Sequence, residues 1–311
     1  MSFISRASSI ADLPSPVAVC CHDAGGANLV AAWVASDPSG EYAICAEGPA
    51  RKIFAEVLPD RITRPLSGVL DGAASLLSGS GWASSLEHDA RIAARSRHIP
   101  VLAVLDHWVN YRMRFTRDQM ETLPDVLVVA DAQAAALAAE IFGNACPVVM
   151  WENLYLRAEA ASVRRYSDRA PAVPPTRLLV LLEPIRSDWV ENPAIPAEFR
   201  ALDYLMENMA AISPKPDEVA VRLRPHPSES ASKYLPWLRR QKRADLRLSE
   251  ARSLAEDIAW ADVSAGLETY ALVVALEAGR RALCYLPPGA PPCSLRHPRL
   301  EHLGESNKIV P

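Results

Sequence analysis

Short, continuous apolar runs recur along the chain and are separated by segments with helical periodicity. Residues 16–22 (PVAVCCH), 101–106 (VLAVLD) and 125–130 (DVLVVA) are examples of such runs. Runs of this length without polar alternation are typical of strands that are buried on both faces of a parallel sheet. Strand and helix patterns that alternate in this way predict a doubly wound α/β fold.

The alternation is interrupted once, by a polar and proline-rich stretch at residues 158–176. A chain of 311 residues is also long for a single core. We therefore predict two tandem Rossmann-like, doubly wound parallel-sheet domains that face a cleft, the default position for a ligand. The predicted bounds are an N-terminal domain at residues 1–165, a linker at 166–176 and a C-terminal domain at 177–311. Further strands are expected at 41–48, 73–78, 146–151, 177–184, 218–224, 261–266 and 281–288, and helices from near Leu29 and at 83–98, 132–142, 197–212, 229–243, 250–260 and 267–279.

Charge and composition argue against several classes of protein. The net charge of -4 argues against a general nucleic-acid binder. No stretch reaches the ~20 apolar residues of a transmembrane helix, and the N-terminus lacks the apolar core of a secretion signal. We therefore expect a cytoplasmic protein, for which peripheral membrane association and the oligomeric state stay open. The six cysteines include no CxxC pair, so we expect reduced, buried thiols and no zinc site.

The segment HDAGGAN (22–28) directly follows the first predicted strand, where ligands of open α/β sheets bind. His22 and Asp23 are candidates for a catalytic base at the strand tip. In the alternative interpretation, the segment is a tight turn in which Asp23 caps the next helix. The pattern GxGxxG is absent, so a dinucleotide site is not predicted. The candidates for contact with an acceptor are Gly25, Gly26 and Asn28.

The segment GSGW (79–82) follows another predicted strand of the same sheet. Its glycines permit a close approach of the backbone to a ligand, Ser80 can donate a hydrogen bond and Trp82 can stack on a ring. A plain loop anchored by the tryptophan is the alternative. We expect Glu87, in the following helix, to pair with Arg91 four residues further on.

The segment DHWVNYRMRF (106–115) combines aromatic, amide, guanidinium and carboxylate groups after a third strand. Asp106 and His107 form a reserve catalytic pair. Aromatic faces with neighbouring polar groups suit a sugar, which makes this segment a candidate for acceptor recognition. An aromatic mini-core beneath a loop is the alternative. The candidate acceptor contacts are Asn110, Tyr111 and Arg114.

In the second domain, the segment RLRPHP (222–227) places Arg224 and His226 at the end of a strand. The prolines on either side of His226 fix φ, which favours a side chain that is held in one direction. Arginine binds phosphate through two parallel hydrogen bonds and histidine can donate another. A charged turn is the alternative. Because a strand-tip side chain contributes little to a core, Arg224→Ala is predicted to leave the fold intact.

A second phosphate element is predicted at residues 261–279 (ADVSAGLETYALVVALEAG). Its small residues form a predicted turn before a helix, and helix N-termini bind anions. Helix capping alone is the alternative role for its first-turn polar residues. The candidate residues are Ser264, Gly266, Glu268 and Thr269.

Together, RPHP (224–227) and SAGLETYALVVALEAG (264–279) resemble the C-terminal domain of GT-B glycosyltransferases. The resemblance is to the bacterial surface-polysaccharide group, with its glycerophosphotransferases and nucleotide-sugar epimerases, and it covers residues 177–290. In that superfamily the two elements hold the nucleotide of an activated sugar. The resemblance therefore implies that Arg224 and His226 contact phosphate, and that residues 264–269 contact phosphate or ribose.

The resemblance implies a glycosyltransferase without metal or cofactor, which uses a nucleotide sugar in bacterial surface glycan or glycoconjugate synthesis. Its partners would be a nucleotide-sugar donor and a glycan or other acceptor. A nucleotide-sugar hydrolase or a non-hydrolysing epimerase on the same fold is the first alternative, and a non-enzymatic sugar- or nucleotide-binding protein is the second. A Ser/His/Asp hydrolase is not supported, because GxSxG is absent. The segment HPRLEH (297–302) lacks further metal ligands and is expected to be a surface tail.

Overall fold

The computed structural model describes residues 3–166, 176–184 and 196–304. The chain divides into two compact units, residues 1–155 and 156–311. Each unit contains a parallel sheet with helices, which confirms the predicted α/β fold class with two Rossmann-like domains. Most of the predicted linker, residues 167–175, lies outside the described residues.

The apolar runs of the first unit form its strands. Every residue of the four central strands is buried, as a parallel sheet covered on both faces requires. The strands are β1 (Val17–Cys21), β2 (Tyr42–Ala46), β3 (Ser75–Ser78), β4 (Val101–Leu105), β5 (Thr116–Arg117), β6 (Met120–Glu121), β7 (Val126–Val129) and β8 (Val148–Met150). Within the described residues, six of them form one sheet in the order β2-β1-β3-β4-β7-β8, and β5 and β6 form a separate antiparallel hairpin.

The helices of the first unit cover both faces of this sheet. They are α1 (Ala24–Ser36), α2 (Gly48–Val57), α3 (Leu66–Val69), α4 (Leu86–Ser96) and α5 (Ala132–Phe142). A further helix, α6 (Leu154–Tyr166), begins at the end of the first unit and lies mostly in the second. The prediction that α1 starts near Leu29 is wrong, because the helix begins at Ala24 with Asp23 as its N-cap residue. Gly25, Gly26 and Asn28 therefore lie in the first turns of a helix rather than in a loop.

The second unit repeats the pattern in the rest of the chain. Its strands are β9 (Arg177–Leu181), β10 (Ala220–Arg224), β11 (Leu246–Leu248), β12 (Val263–Gly266), β13 (Arg281–Cys284) and β14 (Glu301–His302). Its helices are α7 (Ala197–Glu207), α8 (Leu235–Arg240), α9 (Leu254–Trp260) and α10 (Ala271–Glu277). In the part of the chain that the structure describes, the strand order is β11-β10-β9-β12-β13-β14.

Three predictions for the second unit are wrong in detail. Residues 264–266 are not a turn, because they pair in register with residues 282–284 and form the end of β12. The basic helix predicted at 229–243 is shorter, since α8 is preceded by a 3-10 turn and ends at Arg240. The last two residues of HPRLEH are not a surface tail, because they pair with β13 as β14.

The cysteines are in the reduced and mostly buried state that the sequence predicts. All six cysteines are free thiols, and five of them are buried. No helix among the described residues has the length and apolar content that a membrane crossing requires.

Candidate functional site

His22 and Asp23 form a hydrogen-bonded pair at the carboxyl end of β1. Nδ1 of His22 lies 2.7 Å from Oδ1 of Asp23, and the side chains are 20% and 32% exposed. Asp23 is the N-cap residue of α1, but its carboxylate makes no capping hydrogen bond. Because its oxygen binds the imidazole instead, the capping alternative does not account for Asp23.

The other ring nitrogen of His22 faces the start of α2. A Cβ atom at Gly48 would lie 2.5 Å from Nε2 of His22, and the φ of Gly48 is +51°. Glycine is therefore needed at this position for two reasons, the backbone conformation and the space taken by the imidazole. Since an ionised Asp23 can only accept, Nδ1 donates to it and Nε2 keeps the lone pair of a base.

Glu87 joins the two loops that carry the predicted site. Its Oε1 accepts a hydrogen bond from the backbone N–H of His22 at 3.0 Å, and its Oε2 accepts one from Gly81 at 2.6 Å. The carboxylate therefore holds backbone amides, rather than the expected side chain of Arg91. Burial raises the pKa of Glu87, and the negative charge of Asp23 adds to the effect.

The glycines of the site make room for its own acidic side chains. A Cβ atom at Gly25 would collide with the carboxylate of Asp106, and one at Gly79 would collide with Glu87. At Gly81, a Cβ atom would collide with Asp23 and lie 2.9 Å from Oε2 of Glu87. Close approach is therefore the reason for these glycines, as predicted, but the groups that approach belong to the protein. Contact of Gly25 and Gly26 with an acceptor stays a prediction.

Asp106 forms an ion pair with Arg114, whose side chain is only 4% exposed. Nη1 of Arg114 lies 2.5 Å from Oδ1 of Asp106 and 3.3 Å from Oγ of Ser80. Ser80 in turn donates its hydroxyl to the carbonyl of Val104 at 2.6 Å. Arg114 thus binds both Asp106 and Ser80, so an internal role of the three residues is observed and a role toward an acceptor stays a prediction.

The rest of segment 106–115 divides into a buried part and an exposed part. Tyr111 is buried and stacks on Phe142, as in the aromatic mini-core that was the alternative interpretation. Asn110 is exposed in a left-handed conformation with φ of +59°. Nδ1 of His107 accepts the backbone N–H of Trp108 at 3.0 Å. Sugar recognition by this segment remains a prediction.

Trp82 presents an aromatic surface beside the buried side chain of Arg114. It is 44% exposed, and the guanidinium of Arg114 lies 4.9 Å from its ring centroid. A ring with one face on a guanidinium and a large exposed area can stack on a sugar or a base.

In the second unit, Arg224 is held by a buried carboxylate. Its Nη1 lies 2.6 Å from Oδ2 of Asp257, which is fully buried, and Oδ1 of Asp257 accepts the hydroxyl of Ser249 at 2.5 Å. The side chain of Arg224 is 23% exposed. One edge of the guanidinium is therefore fixed by α9, and its remaining N–H groups can still bind an anion.

One ring nitrogen of His226, two residues after Arg224, is bound within its own loop by Ser228. Its Nδ1 lies 2.7 Å from Oγ of Ser228 and accepts the backbone N–H of the same residue at 3.2 Å. Because this amide donates to Nδ1, the proton of a neutral ring lies on Nε2. Nε2 can donate it to a phosphate oxygen.

The amides before α10 are bound by a carboxylate of the same unit. Oε1 of Glu183, which follows β9, accepts hydrogen bonds from the N–H groups of residues 267, 268 and 269 at 3.0, 2.9 and 2.9 Å. Burial raises the pKa of Glu183 to about 7, although these three bonds oppose the change. The predicted anion-binding turn therefore holds an internal anion.

The remaining predicted nucleotide contacts in this region have internal partners or are buried. Oε1 of Glu268 accepts the N–H of Ser294 at 2.7 Å, and Oγ1 of Thr269 accepts the N–H of Ala271 at 3.3 Å. Ser264 and Gly266 are buried in β12. Nucleotide binding by these four residues stays a prediction.

Comparison with known proteins identifies the fold. No family model and no curated protein matches the chain. Among solved structures, UDP-GlcNAc 2-epimerase from Neisseria meningitidis, bound to UDP-GlcNAc, matches with a TM-score of 0.58 and 12% identity, over 86% of this chain and 82% of that chain. MnaA of S. aureus, in a structure with UDP, gives 0.56 and 11%, over 86% and 78%. UDP-N-acetylglucosamine 2-epimerase from Rickettsia bellii gives 0.52 and 12%, over 86% and 78%.

These matches show that the chain shares the fold of those solved structures, as the predicted resemblance implies. Identities of 11–12% carry the fold and not the activity.

Three carboxylates at the centre of these contacts were missed as site residues by the sequence reasoning: Glu87, Glu183 and Asp257. Each binds at least one group that lies far along the chain, so no local spacing identifies that partner. The glycine spacing in GSGW was a usable signal, since it showed that something approaches the backbone there.

A separate cavity of about 550 Å³ lies at the opposite, amino-terminal edge of the first sheet. None of the predicted site residues lines it. Its walls are formed by Ile4, Pro14, Arg95, His98, Ile99, Pro100 and Asp125.

Proposed function

We propose that this protein is a nucleotide-sugar-dependent glycosyltransferase in which His22 is the general base. The observation that carries the proposal is the pair at the end of β1, with Nδ1 of His22 bound to Asp23 and Nε2 directed toward Gly48. Asp106 is less suited to this role, because Arg114 already neutralises it. A histidine that is oriented by a carboxylate is the arrangement that removes a proton from a hydroxyl group.

In the proposed reaction, Nε2 of His22 takes the proton of an acceptor hydroxyl while its oxygen attacks the anomeric carbon of the donor sugar. The bond between that carbon and the phosphate oxygen breaks, and the nucleotide leaves with the bonding electrons. Asp23 stabilises the imidazolium that forms. Trp82 offers a stacking surface for the acceptor.

We assign the donor phosphates to Arg224 and His226. The fixed guanidinium of Arg224 and the Nε2 proton of His226 are donors that suit phosphate oxygens. The amides of residues 267–269 are not assigned to phosphate, because Glu183 already binds them. The reaction belongs, in this proposal, to surface glycan or glycoconjugate synthesis in the cytoplasm, with no metal or cofactor.

A second candidate activity is nucleotide-sugar epimerisation. It is favoured by the comparisons, since the solved structures named above are two UDP-GlcNAc 2-epimerases and MnaA in a structure with UDP. The same base would then remove a proton from sugar carbon rather than from an acceptor hydroxyl.

Nucleotide binding is tested by thermal unfolding of the full chain with UDP, CMP, GDP and UDP-GlcNAc. A nucleotide that binds only the folded state should stabilise it by ~2.7 kcal/mol at a hundredfold excess over Kd. We expect one base to give this stabilisation, His226→Ala to lose it, and Arg247→Ala, which removes an exposed cation from β11, to keep it. If no nucleotide raises the melting temperature, the proposed donor is wrong.

The chemistry is tested by following UDP-GlcNAc with the protein by NMR, alone and with a panel of glycan acceptors. Release of UDP only when an acceptor is present supports the transferase, whereas a 2-epimer formed without acceptor supports the second candidate. His22→Ala should abolish turnover and keep nucleotide binding, while His107→Ala should keep both. Loss of turnover in His107→Ala alone would assign the base to the reserve pair and overturn the proposal.

A further inference from the structure

Glu87 is a completely buried carboxylate that the proposed reaction does not use. Its side chain is 0% exposed, and it lies in the first turn of α4. A buried carboxylate is costly unless its oxygens are satisfied by hydrogen bonds or an opposite charge. Because the side chain cannot reach solvent, it cannot touch a substrate.

Both oxygens of Glu87 bind backbone N–H groups of the two loops that surround the base. One amide belongs to His22 and the other to Gly81, at 3.0 and 2.6 Å. Two N–H donors on one carboxylate favour its ionised form, because a protonated oxygen would have to face a donor. The carboxylate thus fixes the backbone from which the imidazole projects.

The protein is built closely around this carboxylate. A Cβ atom at Gly79 would overlap with its Oε1, and one at Gly81 would lie 2.9 Å from its Oε2 while colliding with Asp23. Asp23 and Glu87 therefore approach the same point of the backbone at residue 81. Glu87 therefore places a second negative charge near Asp23, the carboxylate that binds the imidazole of His22.

The surrounding charges define the field at the base. Arg91 in α4 is a cation whose charge lowers the pKa of Glu87 and so opposes the effect of burial. Its guanidinium lies 5.1 Å from the ring centroid of Phe115. Burial raises the pKa of Glu87 and lowers the pKa of Arg91 to about 10. The other charged or titratable groups around the pair are Asp23 and Cys21 at the end of β1, Cys20 within β1, Glu47 before α2, His88 in α4, Asp106 after β4, and Arg117 at the carbonyl of Gly81.

We infer that Glu87 is a positioning residue that sets both the orientation and the proton affinity of the His22–Asp23 pair. The inference rests on the proposed role of His22 as a base. Glu87 holds the backbone amide of His22, and in this proposal the buried negative charge beside that residue favours the protonated imidazole without contact with the substrate.

The test is an NMR titration of the Cε1–H signal of His22 in the full chain, with the signal assigned from a His22→Gln variant. In Glu87→Gln, one oxygen becomes an NH2 group that cannot accept an amide, and the charge is lost. We expect the titration midpoint of His22 to fall by on the order of 1 pH unit. The matched control is Glu183→Gln, which replaces a carboxylate that also accepts backbone amides but lies in the second unit, and it should leave the midpoint unchanged.

A second measurement uses the unaltered protein, in case Glu87→Gln does not fold. The amide signals of His22 and Gly81 should share one titration midpoint, that of Glu87, and the Cε1–H curve of His22 should show an inflection at the same pH. An unchanged midpoint in the variant, or a wild-type ring signal without that inflection, overturns the inference.

The titration needs no substrate, so it separates this inference from the proposed function. If the midpoint shifts but no nucleotide sugar is turned over, Glu87 tunes His22 and the proposed reaction is wrong. Where turnover is measured, Glu87→Gln should lower kcat with little change in KM, and move the acid limb of kcat/KM to lower pH together with the ring. If Glu87 only held the backbone of His22 and Gly81 in place, the pH of that acid limb would be unchanged in Glu87→Gln.

Discussion

Four glycines around His22 lie against polar side chains of the same site, which places strict limits on substitution. Gly81 is the most crowded, since an added Cβ atom would meet both Asp23 and Glu87. Neither carboxylate can move away easily, because each is held by a hydrogen bond.

We expect Gly81→Ala to destabilise the first unit by ~1–3 kcal/mol, the usual range for an overpacked interior position. Urea unfolding followed by circular dichroism measures the change. Gly68→Ala is the matched control, because its Cβ atom would come no closer than 4.0 Å to Pro65. A Gly81→Ala protein as stable as the control would show that the two carboxylates can be displaced freely.

Glu183 gives the second unit a pH-dependent stability. Its pKa is raised from 4.5 to about 7 by burial, so the folded state binds its proton more tightly than the unfolded state does. The free energy of unfolding is therefore highest below pH 4.5 for this group and falls as the pH rises toward 7. Glu183→Gln should remove this part of the pH dependence, which is on the order of 3 kcal/mol or less. Melting temperatures between pH 5 and 8 test it, and an unchanged slope in the variant would contradict it.

At the scale of the elements, the Arg224–Asp257 pair ties the end of β10 to α9. The sequence predicted that Arg224→Ala would leave the fold intact. The structure shows that this substitution would take an ion-pair partner from the fully buried carboxylate of Asp257. Among the described residues, Arg222 is a second cation near this carboxylate, with its Nη1 3.9 Å from Oδ1 of Asp257.

We expect Arg224→Ala to lower the free energy of unfolding by ~2–3 kcal/mol, below the full cost of breaking a buried pair because Arg224 is partly exposed. The double variant Arg224→Ala/Asp257→Ala should recover part of the loss. Arg247→Ala, on the neighbouring strand, is the control. Additive losses in the double variant would mean that the two side chains are not coupled.

At the scale of the whole molecule, each unit has a complete core of its own. The large apolar clusters of the first unit lie between residues 4 and 151, or 155 with their partly buried members, and the cluster of the second lies between residues 178 and 303. Within the described residues, each sheet also draws all its strands from one unit.

We expect fragments 1–155 and 156–311 to fold separately, because the cut divides neither core nor sheet and separates only the first two residues of α6 from the rest of that helix. Each fragment should unfold cooperatively on heating, with the near-ultraviolet circular dichroism of packed aromatic residues below its transition. The full chain is the reference. A fragment that binds a dye for exposed apolar surface and melts without a transition would show that its core is incomplete alone.

The fold could be predicted because its signals are local. The apolar runs at residues 101–106 and 125–130 became β4 and β7, since a strand buried on both faces must be apolar throughout its length. Element ends were less accurate. Small residues such as those at 264–266 are compatible with a turn or a tightly packed strand, and the choice depends on neighbours such as β13.

The candidate site was predicted only in part. His22 and Asp23 are adjacent in the chain, so their pairing was visible as a motif. The partner of Glu87 was mistaken, because the residue four positions away was considered and the amide 65 positions away was not. For the same reason, the sequence did not reveal that Asp257 binds Arg224 or that Glu183 binds the amides of residues 267–269.

By itself, the sequence determined the fold class, the two-domain organisation and the strand ends at which polar residues gather. Short segments of sequence are enough to recognise strands buried on two faces, helical periodicity and turn residues, so these features can be predicted without knowledge of distant contacts. Only the tertiary structure decided which carboxylate meets which amide or guanidinium. Those pairings depend on strand order and on the path of each loop, which bring together residues that are remote in the chain and leave no spacing to be read.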